Sequence, residues 1–216
     1  MNYTVQGDID DGTAGVSRHV SWTHHFFLNN NDHKTLRQLL RRKRRALGFG
    51  WQIAAARRLA ELIVSQGFYS VSQRIALYLP NDGEISLMPL LKHAWSHGKH
   101  CYLPVIDGDQ LRFAHFTPGA PLTNNQFGIL EPTAGKYCHL KDIDLVLTPL
   151  VAFDRWGNRL GMGGGFYDRT FASQLNLNNE LDIKRPLLCG VAHRCQQVRG
   201  LTPTKWDFPL DWVAVS

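Results

Sequence analysis

Apolar residues along the chain fall into two spacings, and the switches between them mark the elements. Residues 143–153 form a nearly unbroken apolar run rich in β-branched side chains, the pattern of a strand buried on both faces. Leu36, Leu39, Leu40 and Leu47 recur at helical spacing and predict an amphipathic helix over residues 34–45. A second helix is expected over residues 51–66, with Ala55, Leu59, Leu62, Ile63 and Gln66 near one face. Residues 74–79 alternate into a short strand ending at Pro80, and a turn at residues 81–83 leads to Glu84 and Ile85. A third helix is expected to start near Ser86, with Leu87, Leu90, Leu91 and Ala94 on its core face, Pro89 in its first turn and Gly98 after its end.

Further on, residues 99–106 and 111–116 read as two strands joined by Asp107-Gly108-Asp109, a hairpin-type connection. Residues 118–141 are loop-rich. Tyr167, Phe171 and Leu175 recur every fourth position and predict a helix over residues 166–175, while residues 187–192 and 212–215 supply two more strands. There is no internal repeat. Strands alternating with helices over this length imply an α/β fold: a mainly parallel sheet with helices on both faces, three-layered, Rossmann-like and in a single domain. Residues 1–32 carry few aliphatics, four aspartates and three consecutive asparagines, and are expected to form a mobile N-terminal extension to a domain over 33–216. Trp22, Phe26 and Phe27 are its candidates for docking on that domain.

Composition narrows the class. A chain of 216 residues with 44% hydrophobic content is long enough for one sizeable core. No apolar run reaches membrane-spanning length, and the start lacks the basic-then-apolar pattern of a secretory signal. The four cysteines contain no C-x-x-C pair and fit reduced thiols, so a cytoplasmic location without a membrane partner is expected. The ten histidines show no H-E-x-x-H spacing, which argues against a zinc site.

Charge changes the picture more. Residues 34–45 hold seven basic side chains (Lys34, Arg37, Arg41, Arg42, Lys43, Arg44 and Arg45) and no acid, in a chain of net charge +6. A solvated helix face, a nucleic-acid patch and a clamp on a polyanionic small ligand all remain open. As a clamp, Lys34, Arg37 and Arg41 would act together from one side, with Arg42, Arg44 and Arg45 spread around the rest.

The densest signal is residues 158–169, Asn-Arg-Leu-Gly-Met-Gly-Gly-Gly-Phe-Tyr-Asp-Arg. Four glycines in the five positions 161–165, between a strand and a helix, let backbone N–H groups approach phosphate oxygens closely. A glycine-rich surface turn without a ligand is the plain alternative, and the adjoining Arg159, Tyr167, Asp168 and Arg169 favour a site. It is no Walker A loop, which needs Gly-Lys followed by Ser or Thr, and no dinucleotide fingerprint, because position 166 is Phe.

With the preceding Phe153-Asp154-x-x-Gly157-x-Arg159, the stretch closely resembles the G-x-G-G-G-Y-Y-D-R signature of the 5-formyltetrahydrofolate cyclo-ligases, or methenyltetrahydrofolate synthetases, over seventeen residues. Further resemblances are the basic helix with Leu36-Arg37, residues 80–85 (Pro-Asn-Asp-Gly-Glu-Ile), residues 127–132 (Phe-Gly-Ile-Leu-Glu-Pro), Gly190-Val191-Ala192-His193 with Gln196 or Gln197 beyond, and residues 206–211. Met162 stands where the family often has a polar residue, and Phe166 replaces its first tyrosine.

The resemblance implies ATP-dependent ring closure of 5-formyltetrahydrofolate, with Mg²⁺ and with no nucleic-acid partner, in a monomer. It implies ATP contacts at His33 or Lys34, Arg37, Arg159, Leu160, Gly161, Met162, Gly163, Gly164, Gly165, Phe166 and Tyr167. An ungapped match puts His33 at the family's lysine position, with Lys34 one residue on. Folate contacts would come from Leu79, Glu84, Phe166 and Tyr167, and metal oxygens from Asp168 and Asp154. Each has a plainer role beside this one: Asp168 as a helix cap, Glu84 as a solvated turn carboxylate, Tyr167 as core packing, Arg169 as a surface ion-pair partner. The competing class is a nucleic-acid-binding protein using the helix over residues 34–45.

Overall fold

A computed structural model describes residues 32–175, 185–204 and 206–216 of the chain. The helices are α1 (His33–Arg45), α2 (Phe49–Val64), α3 (Gly67–Val71), α4 (Met88–Ser96) and α5 (Phe166–Leu175). The strands are β1 (Arg74–Ala76), β2 (His100–Asp107), β3 (Gln110–His115), β4 (Leu122–Asn124), β5 (Leu130–Pro132), β6 (Tyr137–Cys138), β7 (Leu145–Pro149), β8 (Ala152–Phe153), β9 (Arg159–Leu160), β10 (Leu187–Ala192) and β11 (Trp212–Val215). Apart from Asp32, the N-terminal extension and its docking aromatics lie outside the described residues. Asp32 caps α1, its carboxylate accepting from Thr35 N at 3.0 Å.

The main sheet has the order β11-β10-β7-β1-β2-β3-β6. Its first five strands are parallel; β3 and β6 add an antiparallel edge. Alternation along the parallel strands divides the core in two. Ile75, Cys101, Leu103, Leu145, Leu147, Cys189, Val191 and Ala214 face a layer built from α2, α3 and α4. Ala76, Tyr102, Val146, Leu188 and Val213 face the opposite way, towards Phe171 of α5. With both faces covered, Leu145, Val146 and Leu147 are all fully buried, which is why their stretch reads as an unbroken apolar run. Burying each such side chain contributes about 2 kcal/mol. Gly190 fits the crowded α5 side because a Cβ there would lie 2.6 Å from Leu210 Cδ1 and 2.8 Å from Leu150 Cδ2.

The three-layer α/β expectation therefore holds, and its departures have local causes. The paired part of β1 is shorter than the expected 74–79: it ends at Ala76, and just beyond it Leu77 N still donates to Tyr102 O of β2 at 2.9 Å. The loop-rich stretch contains the β4–β5 hairpin and β6, strands of three and two residues with no apolar alternation to reveal them. From β7 the chain goes to β10 and β11 on one side, whereas from β1 it goes to β2 on the other. The carboxyl ends of β1 and β7 thus flank a topological switch point, where open α/β sheets hold their ligands. Across those ends lies α1, with Leu40 packed on Val151, Ala152 and Leu160.

Candidate active site

Beyond β1 the chain turns tightly at Asn81, Asp82, Gly83 and Glu84, closed by Glu84 N donating to Asn81 O at 3.0 Å. Asp82 and Gly83 both have left-handed backbones, with φ of 54° and 78°. Gly83 also lies against the α1 backbone: an added Cβ would sit 3.2 Å from Arg44 O and Arg45 N. Only glycine meets both demands, so the Asp-Gly pair fixes where Glu84 emerges. The Glu84 carboxylate folds back to accept from Asn81 N at 3.0 Å.

The face of α1 that meets this turn carries Arg37, Arg41 and Arg44 at i, i+4 and i+7. Arg44 is completely buried. Its Nε donates to Asp82 O at 2.8 Å and its Nη1 to Leu150 O, beyond β7, at 3.1 Å. Its Nη2 reaches Asp82 Oδ2 at 3.0 Å, Glu84 Oε1 at 3.4 Å and Met162 Sδ at 3.7 Å. One guanidinium thus ties together the loops after β1 and β7 and the glycine loop. Arg41 Nε pairs with Asp82 Oδ2 at 2.7 Å, and Arg45 pairs with Asp82 Oδ1. This corrects the expected division of the helix, in which Arg44 lay off the working face. Lys34 is exposed and His33 half-buried at its N-terminal end.

The two carboxylates under these arginines differ. Burial opposes ionisation of Asp82, but Arg41 and Arg44 outweigh it and hold its pKa below the usual range. Burial pushes Glu84 up to about 7, with Arg44 opposing the rise. Tyr167 of α5 lies close enough that the Glu84 charge adds to burial in raising its phenol, and Tyr78 is raised in the same way. The Glu84 charge is thus felt at both Tyr78 and Tyr167, residues far apart in sequence. Leu79 is half-buried at the edge of the same core.

The glycine loop spans residues 161–165, between β9 and α5. Arg37 Nε donates to Gly161 O at 2.8 Å, and its guanidinium lies beside Gly163. Gly163 and Gly165 have φ of 103° and 65°. Arg169 Nη2 donates to Gly164 O at 2.6 Å, and its Nε donates to Asp109 O at 2.9 Å, fastening the loop to the β2–β3 turn. Phe166 is half-buried, with the exposed Phe127 edge-on to its ring at 5.7 Å. Gly163 and Gly164 are exposed, as is Met162, whereas the Leu160 side chain belongs to the core under α1, so only its backbone can serve a ligand.

Asp154 does not stand as a metal ligand. It is completely buried, and its carboxylate accepts from Trp156 N, Asn158 N, Asn158 Nδ2 and Leu201 N at 2.9–3.0 Å. Four donors occupy both oxygens, and the residue organises the β8–β9 turn. Asp168 Oδ1 pairs with Arg159 and accepts from Phe208 N at 3.1 Å, while Arg159 also donates to Phe208 O. These two residues neutralise each other and clamp the C-terminal stretch onto the loop's flanks. No cluster of three metal-ligating side chains occurs among the described residues, so a protein-held Mg²⁺ does not fit this donor set.

Sequence reasoning placed Arg44 off the working face, and quoted His193 and Gln196 in a family-like segment without giving them a role in the site. Gln196 is buried, donating to Leu150 O at 2.6 Å and Val151 O at 3.1 Å, and accepting from His193 N at 2.8 Å. Burial pushes the enclosed His193 down to about 4, which keeps the imidazole neutral beside Arg44. The i+7 spacing from Arg37 is the signal that could have found Arg44.

The sequence model of the 5-formyltetrahydrofolate cyclo-ligase family matches residues 29–216. The 5-formyltetrahydrofolate cyclo-ligase of Haemophilus influenzae is 44% identical over 144 residues, covering 64% of this chain and 73% of that protein. The Escherichia coli K12 protein of the same name is 36% identical over 177 residues, covering 80% and 93%. The NMR structure of the Aquifex aeolicus 5,10-methenyltetrahydrofolate synthetase superposes with a TM-score of 0.72 at 30% identity, covering 85% of this chain and 89% of that one.

Proposed function

The chain belongs to the 5-formyltetrahydrofolate cyclo-ligase family, and from that premise we propose that it closes 5-formyltetrahydrofolate to 5,10-methenyltetrahydrofolate with consumption of ATP. The observation that carries this reading is that one guanidinium, Arg44, reaches both the Glu84 carboxylate and Met162 of a glycine loop lined by Arg37. A hydrogen-bonding carboxyl and a glycine loop suited to an anion are thereby held to one cation.

The chemistry suits such a site. The formyl amide carbon is a weak electrophile, and its oxygen leaves poorly. Attack of the formyl oxygen on the γ-phosphorus of ATP expels ADP and converts that oxygen into a phosphate ester. N10 then attacks the activated carbon, phosphate departs, and N10 gives up its proton as the amidinium forms. The protein positions two substrates and stabilises charge, and needs no side-chain nucleophile. Backbone amides of residues 161–165 hold the phosphates, with Arg37 and Lys34 adding positive charge. The Glu84 carboxylate accepts from the pterin N–H edge, and Tyr167 and Phe166 cover the ring. A magnesium ion would arrive on the ATP phosphates.

The test is an absorbance assay for the methenyl product, alongside ADP release from the purified protein. Product should form only when 5-formyltetrahydrofolate and ATP are both present. Turnover without ATP, or no turnover with both, overturns the reading.

A further inference from the structure

We propose that Arg44 is the positioning residue of this site, fixing the orientation and charge of Glu84 while touching the glycine loop at Met162. The inference rests on the functional reading above for the identity of the substrates, and on geometry for the rest. Arg44 is completely buried, yet it lies too deep to be a ligand contact of its own. Its planar fork spends two donors on the carbonyls of Asp82 and Leu150, which fixes the plane of the guanidinium. The remaining edge is aimed at Asp82 Oδ2, Glu84 Oε1 and Met162 Sδ. The folate-side carboxylate and the phosphate-side loop are therefore referenced to one rigid cation. Around Glu84 the other titratable groups are Arg41 from α1, Asp82 from its own turn, Tyr78 after β1 and Tyr167 from α5. His193, beyond β10, faces Arg44 as a neutral ring.

Lysine at this position keeps the charge and loses the fork, so Arg44→Lys separates presence of charge from its placement. Asp82→Asn is the companion variant, because asparagine tolerates the left-handed backbone at that position. Carboxyl ¹³C NMR of the free protein, with Glu84→Gln identifying the signal among the four glutamates of the chain, reads Glu84 directly. In Arg44→Lys its titration midpoint should rise, because a less well-placed cation opposes burial less. In Asp82→Asn it should fall, because a neighbouring negative charge is gone while Arg44 stays. In turnover assays Arg44→Lys should raise the KM for the folate about ten- to a hundredfold, the usual cost of a lost charge-assisted hydrogen bond. The KM for ATP should rise by a smaller factor, because Arg44 reaches the glycine loop only through the weak Met162 Sδ contact at 3.7 Å. A merely structural role would lower thermal stability and raise both KM values together, with the Glu84 midpoint unmoved, and that result overturns the proposal. Should Arg44→Lys fail to fold, the Asp82→Asn midpoint decides alone, and no movement there counts against the proposal. The NMR measurement needs no ligand, so failure of the native protein to turn over the folate would strike the functional reading and leave the placement of Arg44 to be judged separately.

Discussion

At Glu84 burial outweighs the guanidinium beside it. Burial drives its pKa from 4.5 to about 7, while Arg44 pulls it back. Because the folded value exceeds the ordinary one, the native state takes up a proton between those two pH values. The stability this contributes is complete below about pH 4.5 and lost as pH rises through 7. Glu84→Gln cannot ionise, so its Tm relative to the native protein should climb between pH 5 and pH 8. The climb should reach several degrees, at about 2–4 °C per kcal/mol for a chain of this size. Thermal melts across that range check it, and a constant difference would mean that Glu84 does not titrate there. Asp154 makes the opposite lesson at the same scale. Its position beside the glycine signature suggested a ligand, but one of its four donors is Leu201 N, 47 residues away, and the local sequence holds no trace of it.

At the level of elements, α1 and the glycine loop do different work from the same local clues. Helical spacing made α1 legible, and the glycine pattern made the loop legible. Which arginines of α1 point inward was only half readable, because their partners are Asp82, Glu84, Leu150 and Gly161, between 38 and 124 residues away. Removing Arg44 strips the Glu84 carboxylate of its guanidinium and empties a completely buried site, so Arg44→Ala should cost about 3–5 kcal/mol in urea unfolding. Arg42→Ala and Lys43→Ala, on the exposed side of α1, should stay within about 0.5 kcal/mol. Equal losses at all three positions would contradict the buried placement of Arg44. In the loop, Gly165 has a φ of 65°, whereas a Cβ on Gly161 would meet nothing within 4 Å. Gly165→Ala should therefore weaken ATP binding about five- to thirtyfold by forcing about 1–2 kcal/mol of backbone strain into the cradle. Gly161→Ala should weaken it much less, and calorimetric titration with an ATP analogue distinguishes the two. The strands were the most readable elements, because a parallel sheet covered on both faces leaves continuous apolar runs. The short β4, β5 and β6 carry no such imprint.

The whole molecule has a net charge of +6, and the seven basic residues over 34–45 made nucleic-acid binding a real competitor to the ATP clamp. Folding redistributes that charge. Arg37 is turned to the glycine loop, and Arg41, Arg44 and Arg45 are paired with Asp82, which leaves Lys34, Arg42 and Lys43 as the exposed remainder of the run. Counterion release makes the difference measurable, since the salt exponent is about 0.9 per phosphate neutralised on duplex DNA. Three exposed charges predict that affinity for a short duplex falls only about twentyfold between 50 and 150 mM salt; all seven acting together would give a fall of about a thousandfold. Fluorescence anisotropy with a labelled duplex measures the slope. The same duplex, added at 150 mM salt to the folate-dependent reaction, should raise the KM for ATP no more than a few-fold, because of the charges it could reach only Lys34 borders the cradle. A slope near the larger value, together with competition against ATP, would show that the basic face works as one surface and that its inward arginines are not committed to the fold.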